Sequence, residues 1–162
     1  MSRIHEGMFT SERGDWATPT GFFDLVAREF SFTLDAAASH GNAKVEAFYT
    51  EEDNGLTKPW RGVVWCNPPY GRQIGEWVRK GFTAAQDGAT VVMLIPARTD
   101  TAYWHDYVMR AAEVRFLRGR LVFDGGGSNA PFPSALVVFR AGTHVPVITT
   151  MGRGELSKRG AS

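Results

Sequence analysis

The sequence predicts an α/β protein with a mostly parallel central sheet and helices on both faces. Three observations carry this. Two apolar runs, Gly62-Val63-Val64-Trp65-Cys66 and Thr90-Val91-Val92-Met93-Leu94-Ile95, are nearly continuous, the pattern of strands buried on both sides. Between them, residues 74–86 place Trp77, Val78, Phe82 and Ala85 on one side of an amphipathic helix. Both runs stop at proline, Pro68 and Pro96, which cannot donate to a strand ladder.

The remaining elements follow in order. Residues 1–14 are polar and read as a flexible N-terminus. Phe22, Phe23, Val26 and Phe30 recur at helical spacing and predict a helix over 20–30, with Thr18 or Thr20 as its cap. Residues 32–35 are a short strand, 36–44 a loop or helical turn, and 45–50 a second strand. After the strand at 63–66, the helix at 74–86 and the strand at 90–95 come a helix over 101–111, strands at 114–117 and 121–123, and a closing strand at 134–140. Asp124-Gly125-Gly126-Gly127-Ser128-Asn129-Ala130-Pro131-Phe132-Pro133 is a flexible loop by composition. One domain spans 15–146, and 147–162 reads as a polar, fraying tail.

Composition sets bounds on function. The chain of 162 residues is 43% hydrophobic and 22% charged, which suits an ordinary globular domain. The net charge of +1 carries no global nucleic-acid signature, but the charge is segregated. Residues 1–60 hold 5 Lys/Arg and 10 Asp/Glu, and residues 61–162 hold 13 and 7. An acidic half suits a cationic cofactor, and a basic half suits phosphates. One cysteine, Cys66, excludes an intramolecular disulfide framework, and His5, His40, His105 and His144 show no ligand spacing, so no metal is expected. No apolar run is long enough to span a membrane, and no signal peptide is visible, so a cytoplasmic protein is expected.

The stretch Asn67-Pro68-Pro69-Tyr70 carries the chemistry. A stiff loop at the carboxyl end of a buried strand lies where open α/β sheets bind ligands. Asn67 supplies an amide oxygen, Pro68 a backbone carbonyl and Tyr70 an aromatic face. Two acceptors and a stacking surface suit a planar group bearing an exocyclic NH2. The lone pair of such an amine is delocalised into its ring. Acceptors on both N–H bonds favour a more tetrahedral nitrogen that can attack a methyl donor held in line. A nucleic-acid base would have to leave its helix to reach the loop. The plainer reading is a proline turn with Tyr70 as packing.

Asn-Pro-Pro-Tyr after an apolar strand resembles the catalytic motif of S-adenosylmethionine-dependent amino-methyltransferases. The wider pattern resembles the phage-type DNA N6-adenine methyltransferases, the Dam family of phages and prophages. It runs through Asp15-Trp16-Ala17-Thr18-Pro19, Phe32-Thr33-Leu34-Asp35-Ala36-Ala37-Ala38, Asn42, Phe48-Tyr49-Thr50, Asp53-Asn54-Gly55-Leu56 and Trp60. It continues through Leu94-Ile95-Pro96-Ala97-Arg98-Thr99-Asp100-Thr101 and Gly119-Arg120-Leu121-Val122-Phe123, and covers about 15–139. The resemblance implies a reduced Rossmann-like methyltransferase fold. Asp35 and Asn67 are only 32 residues apart, whereas the full fold has two further strand–helix units in that interval.

The resemblance also implies site roles. Asn67, Pro68, Pro69 and Tyr70 are the expected catalytic residues. Trp16, Thr18, Pro19, Asp35, Ala36, Ala37, Asn42 and Asp53 are the expected S-adenosylmethionine-binding residues, with Glu46 a weaker candidate. Asp35 would bind the amino group of the donor, and Asp53 the N6 of the donor's adenine. The family's glycine-rich version is here Asp35-Ala36-Ala37-Ala38-Ser39. Asp35 can alternatively be read as a strand-ending cap, and the acidic run at 51–53 as a solvated loop. Arg72, Arg98, Arg118 and Arg120 follow motif strands and are the expected DNA-binding residues. The expected function is methylation of adenine N6 in double-stranded DNA, located in the bacterial host cytoplasm if phage-encoded. The alternatives are an amino-methyltransferase acting on RNA adenine or protein glutamine, and a non-catalytic DNA-binding relic.

Overall fold

The computed structural model describes residues 17–124 and 129–153. The N-terminal segment including Trp16, part of the expected loop at 125–128 and the last residues of the expected tail lie outside them. The described elements are α1 (Thr20–Ala27), β1 (Leu34–Asp35), a 3-10 turn (Gly55–Thr57), β2 (Val63–Cys66), α2 (Ile74–Gln86) and β3 (Thr90–Pro96). They continue with α3 (Ala102–Asp106), a 3-10 turn (Val108–Arg110), β4 (Glu113–Leu117), β5 (Ser134–Phe139) and β6 (Val147–Met151).

Among the described residues one sheet has the order β1-β2-β3-β5-β4-β6. β1, β2 and β3 pair in parallel, β5 pairs antiparallel with both β3 and β4, and β6 pairs parallel with β4. Five strands therefore point the same way, and β5 alone is reversed. The expected mostly parallel sheet is present.

The period of two along β3 divides the core. Val91, Met93 and Ile95 face a cluster with Trp77, Val78 and Ala85 of α2 and Trp104 of α3. Val92 and Leu94 face the opposite cluster with Phe22, Phe23 and Val26 of α1, joined by Trp65, Phe123 and Phe132. Helices thus cover both faces, and continuous apolar strands are required because neither face meets water. Gly81 allows α2 to lie close on the sheet: a Cβ there would approach Met93 Sδ to 2.7 Å.

Several expected elements differ. The strand expected at 45–50 is reduced to one bridge, Asp35 to Phe48, with Asp35 N donating to Ala47 O at 3.0 Å and Tyr49 N to Asp35 O at 3.0 Å. The interval between β1 and β2 holds no α-helix and no further sheet strand, so the fold is shortened there. The helix expected over 101–111 is broken at Tyr107 (φ −126°) into α3 and a 3-10 turn. Residues 121–123 form no strand. Gly119 (φ +77°) turns the chain away from β4, and Leu121 and Phe123 fill the α1-side core. Val147–Met151, expected in the polar tail, is the edge strand β6. Among the described residues no helix is long and apolar enough to cross a membrane.

Candidate active site

β1 and β2 are parallel neighbours, with Leu34 opposite Val64 and Asp35 opposite Trp65. Their carboxyl ends therefore deliver Asp35 and Asn67 to the same edge of the sheet. Ala36 N donates to Trp65 O at 2.9 Å and keeps the two chains together one residue beyond β1. A small open cleft of about 30 Å³ lies there. It is lined by Ala17, Thr18, Asp35, Ala37, Asn42, Lys44, Trp65 and Asn67. The structure thus brings together five expected site residues from four separate stretches of chain: Thr18, Asp35, Ala37, Asn42 and Asn67.

Asp35 is only 2% exposed. Its Oδ2 accepts from Lys44 N at 3.0 Å and its Oδ1 from Ala37 N at 3.4 Å. Burial pushes the carboxyl above its ordinary value, while these two N–H groups and the charge of Lys44 pull it down by less. The carboxyl group thereby folds residues 36–44 around itself and lines the cleft. Thr18 is buried, and its hydroxyl accepts from Asn67 Nδ2 at 3.0 Å. Asn42 Oδ1 accepts from Ser39 N at 2.7 Å and closes the turn that carries it.

Other expected residues lie behind or beside the cleft. Ala36 is fully buried. Its carbonyl faces Gly55, where a Cβ would lie only 2.3 Å from that oxygen. Pro19 precedes α1 and its carbonyl accepts from Phe23 N at 3.0 Å. Trp16 is outside the described residues. Asp53 does not line the cleft. It is exposed, and its Oδ2 accepts from Thr50 N at 2.8 Å and Thr50 Oγ1 at 3.0 Å, contacts that lower its carboxyl pKa. Glu46 lines a different groove, with Phe32, Thr33, Val45 and Ala47.

Within the proline loop, Pro68 is buried and Pro69 exposed. Tyr70 presents no open face for stacking: it is 5% exposed. Its hydroxyl donates to Leu94 O at 2.9 Å, and Phe123 and Phe132 meet its ring edge-on at 6.3 and 5.4 Å between centroids. The sequence favoured a stacking role because Tyr70 follows two prolines at a strand end. The chain instead turns the ring back into the core.

The four expected arginines are exposed. Arg72 follows β2, Arg98 follows β3, and Arg118 and Arg120 follow β4. These strands share a direction, so all four arginines sit on the edge that bears Asp35 and Asn67. Arg98 lies 6.0 Å from the Phe132 ring centroid, and Arg120 Nη1 donates to Ala130 O at 3.3 Å. Sequence reasoning missed Lys44 and Trp65 as cleft residues and Arg153 on the same edge. Lys44 carries no local motif, and only its bond to Asp35 identifies it. Among the described residues no group of three His, Cys, Asp or Glu could hold a metal.

The sequence pattern of a family described as DNA N-6-adenine-methyltransferase (Dam) matches residues 7–162. The chain is 34% identical over 131 residues to the DNA N-6-adenine-methyltransferase of Escherichia phage T1, covering 78% of this chain and 55% of that one. It is 34% identical over 110 residues to the DNA N-6-adenine-methyltransferase of Haemophilus phage HP1 (strain HP1c1), covering 66% of this chain and 64% of that one. The chain thus spans a little over half the length of the first relative and under two thirds of the second.

Proposed function

Because the chain belongs to the DNA N-6-adenine-methyltransferase (Dam) family, we propose that it transfers a methyl group from S-adenosylmethionine to the N6 amino group of adenine in DNA. The observation that carries this reading is the shared cleft: Asp35 and Asn67, expected at the donor and at the target amine, line one opening at the ends of adjacent parallel strands. The donor set fits the amino-acid end of S-adenosylmethionine. A buried carboxylate at Asp35 suits an ammonium, while the Thr18 hydroxyl and the cationic side chain of Lys44 suit a carboxylate. When bound, the donor supplies an electrophilic methyl on a sulfonium.

The chain's own residues hold and orient the amine. Asn67 offers its side-chain oxygen and Pro68 its carbonyl to the two N–H bonds of N6, which directs the nitrogen lone pair toward the donor. A donor held by Asp35, Thr18 and Lys44 would supply the methyl for the new C–N bond and keep the S–CH3 bonding pair on its sulfur, and the amine would give up its proton to solvent. No side chain forms a covalent bond. The adenine enters by leaving its duplex. With Tyr70 packed in the core, its part is to brace the loop from behind. Arg72, Arg98, Arg118 and Arg120 meet the phosphates beside the cleft.

The test is to incubate the purified protein with methyl-labelled donor and, separately, duplex DNA, RNA and protein, then map the labelled atom. Label on adenine N6 of DNA alone supports the reading. Label on RNA adenine or on glutamine replaces the substrate, and no transfer to any of the three overturns the catalytic reading.

A further inference from the structure

β6 pairs in register with β4, from Glu113 opposite Val147 to Leu117 opposite Met151. Being parallel, the two strands leave the sheet on one edge, the edge that bears the cleft. Their exits are joined. Arg118 N donates to Met151 O at 2.9 Å, and Arg153 Nη1 donates to Arg120 O at 2.8 Å. Gly119 lies between, with φ +77°, and a Cβ built on it would sit 3.2 Å from both Cζ and Nε of Arg153. The guanidinium therefore lies against the bare Cα of Gly119, in space that a side chain would take. On its other side, Arg120 reaches Ala130 O. The turn Arg118-Gly119-Arg120 is thus held by a residue that reaches it from beyond the last strand.

We propose that Arg153 is a positioning residue for DNA: it fixes this turn so that Arg118 and Arg120 meet the duplex backbone in a set orientation. The inference rests on the reading of this edge as the DNA-facing one. A guanidinium suits the task because its fork donates to a carbonyl while its flat face packs on a glycine. A lysine ammonium has no flat face, so charge alone does not reproduce the clamp. Ordering the turn before binding removes part of the cost of ordering it on the duplex.

The experiment compares Arg120→Ala, Arg153→Ala, Arg153→Lys and the double Arg120→Ala/Arg153→Ala in the full chain. Affinity is measured on a duplex of randomised sequence at fixed salt, with S-adenosylmethionine titration reporting the integrity of the fold. Arg120→Ala and Arg153→Ala are each expected to weaken duplex binding roughly five- to ten-fold, the loss of about one net hydrogen bond. Arg153→Lys is expected to stay weak, and the double variant to be no worse than the weaker single. Donor affinity should stay within about two-fold throughout, as the turn does not line the cleft.

Full duplex affinity in Arg153→Ala beside a weakened Arg120→Ala overturns the inference. Restoration by Arg153→Lys, or additive losses in the double, makes Arg153 an independent phosphate contact and overturns it too. If Arg120→Ala itself binds duplex normally, the DNA-facing reading of the turn falls, and that outcome is distinct from the others. Should Arg153→Ala lose donor binding, Arg153→Lys keeps the charge and most of the stem and carries the same comparison.

Discussion

The side-chain amide nitrogen of Asn67 donates to the Thr18 hydroxyl across 3.0 Å. A residue just past β2 is thereby fixed by one that precedes α1, 49 positions earlier in the chain. The bond turns Oδ1 of Asn67 away from Thr18 and sets the plane of the amide. Thr18→Val keeps the shape and removes the hydroxyl. It is expected to lower kcat on the order of ten-fold, since a small misplacement of a positioning group is costly, with a smaller change in the KM for DNA. Thr18→Ser should restore kcat. Steady-state kinetics of the three proteins check this, and a Thr18→Val enzyme with normal kcat would show that Asn67 holds its orientation without the bond.

Asn67→Ala is expected to leave donor binding within about two-fold and to slow transfer roughly 10²- to 10³-fold. Removing one preorganised hydrogen bond to the reacting group costs on the order of 2.7–4 kcal/mol in the transition state. Calorimetric titration and single-turnover transfer separate the two effects. Turnover near that of the parent would remove Asn67 from the reaction.

Asp35 gives a pH dependence with a definite sign. Its pKa in the fold is raised by burial, so the folded chain holds the proton more tightly than the unfolded chain, where an aspartate titrates near about 3.9. Its contribution to stability is fully present below that unfolded value and is lost as pH rises through the raised folded one. Donor binding runs the other way, because an ammonium needs the ionised carboxylate. Affinity for S-adenosylmethionine is expected to fall as pH drops through the raised pKa, above the ordinary aspartate range. In Asp35→Asn it should be weak and flat over that window. Parallel pH profiles in the two proteins would instead place the titrating group elsewhere.

How much of this was legible in sequence follows from burial. β2 and α2 have the expected bounds, Val63–Cys66 and Ile74–Gln86, because both are packed and their apolar pattern has one explanation. β6 was missed because an edge strand with four of its five residues exposed leaves no alternation to read. Its Val-Ile-Thr-Thr run follows Pro146 and leads into a Gly-, Lys- and Arg-rich stretch of sequence that resembles a tail. Asp35 and Thr18, which line one cleft, were legible as candidates because each is a polar residue at the end of a packed element. Asp53 was harder to read, since an acidic turn closing on its own Thr50 looks the same in sequence as a ligand. Nothing in sequence signals that Tyr70 turns inward. That orientation comes from Phe123 and Phe132, which lie more than fifty residues away.

Tyr70→Phe tests the bracing role. The variant removes the hydroxyl that donates to Leu94 O and should lower stability by about 0.5–1.5 kcal/mol with kcat little changed. Denaturant unfolding and turnover measured together check it. A large fall in kcat with unchanged stability would return the ring to the target base.

Gly55→Ala should act on the donor site from behind. The new methyl would lie 2.3 Å from Ala36 O, with Trp77 ring carbons at 3.2 Å, so backbone has to move. Overpacking of this kind costs roughly 1–3 kcal/mol. Because Ala36 adjoins Asp35, weaker donor binding should accompany the loss of stability. Thermal melts with and without donor read both, and a variant as stable as the parent would mean the 3-10 turn yields freely.

The lone thiol of the chain stands immediately before Asn67. Cys66 is fully buried, and burial holds it protonated well above the ordinary thiol range. An alkylating reagent cannot reach it while β2 is paired on both sides. The rate of modification therefore measures how often the central sheet opens at the residue next to the reactive loop. The molecule carries its own stopwatch for that event. Any compound that seats in the cleft and holds β1 against β2 should slow it, whether or not a methyl group is ever transferred.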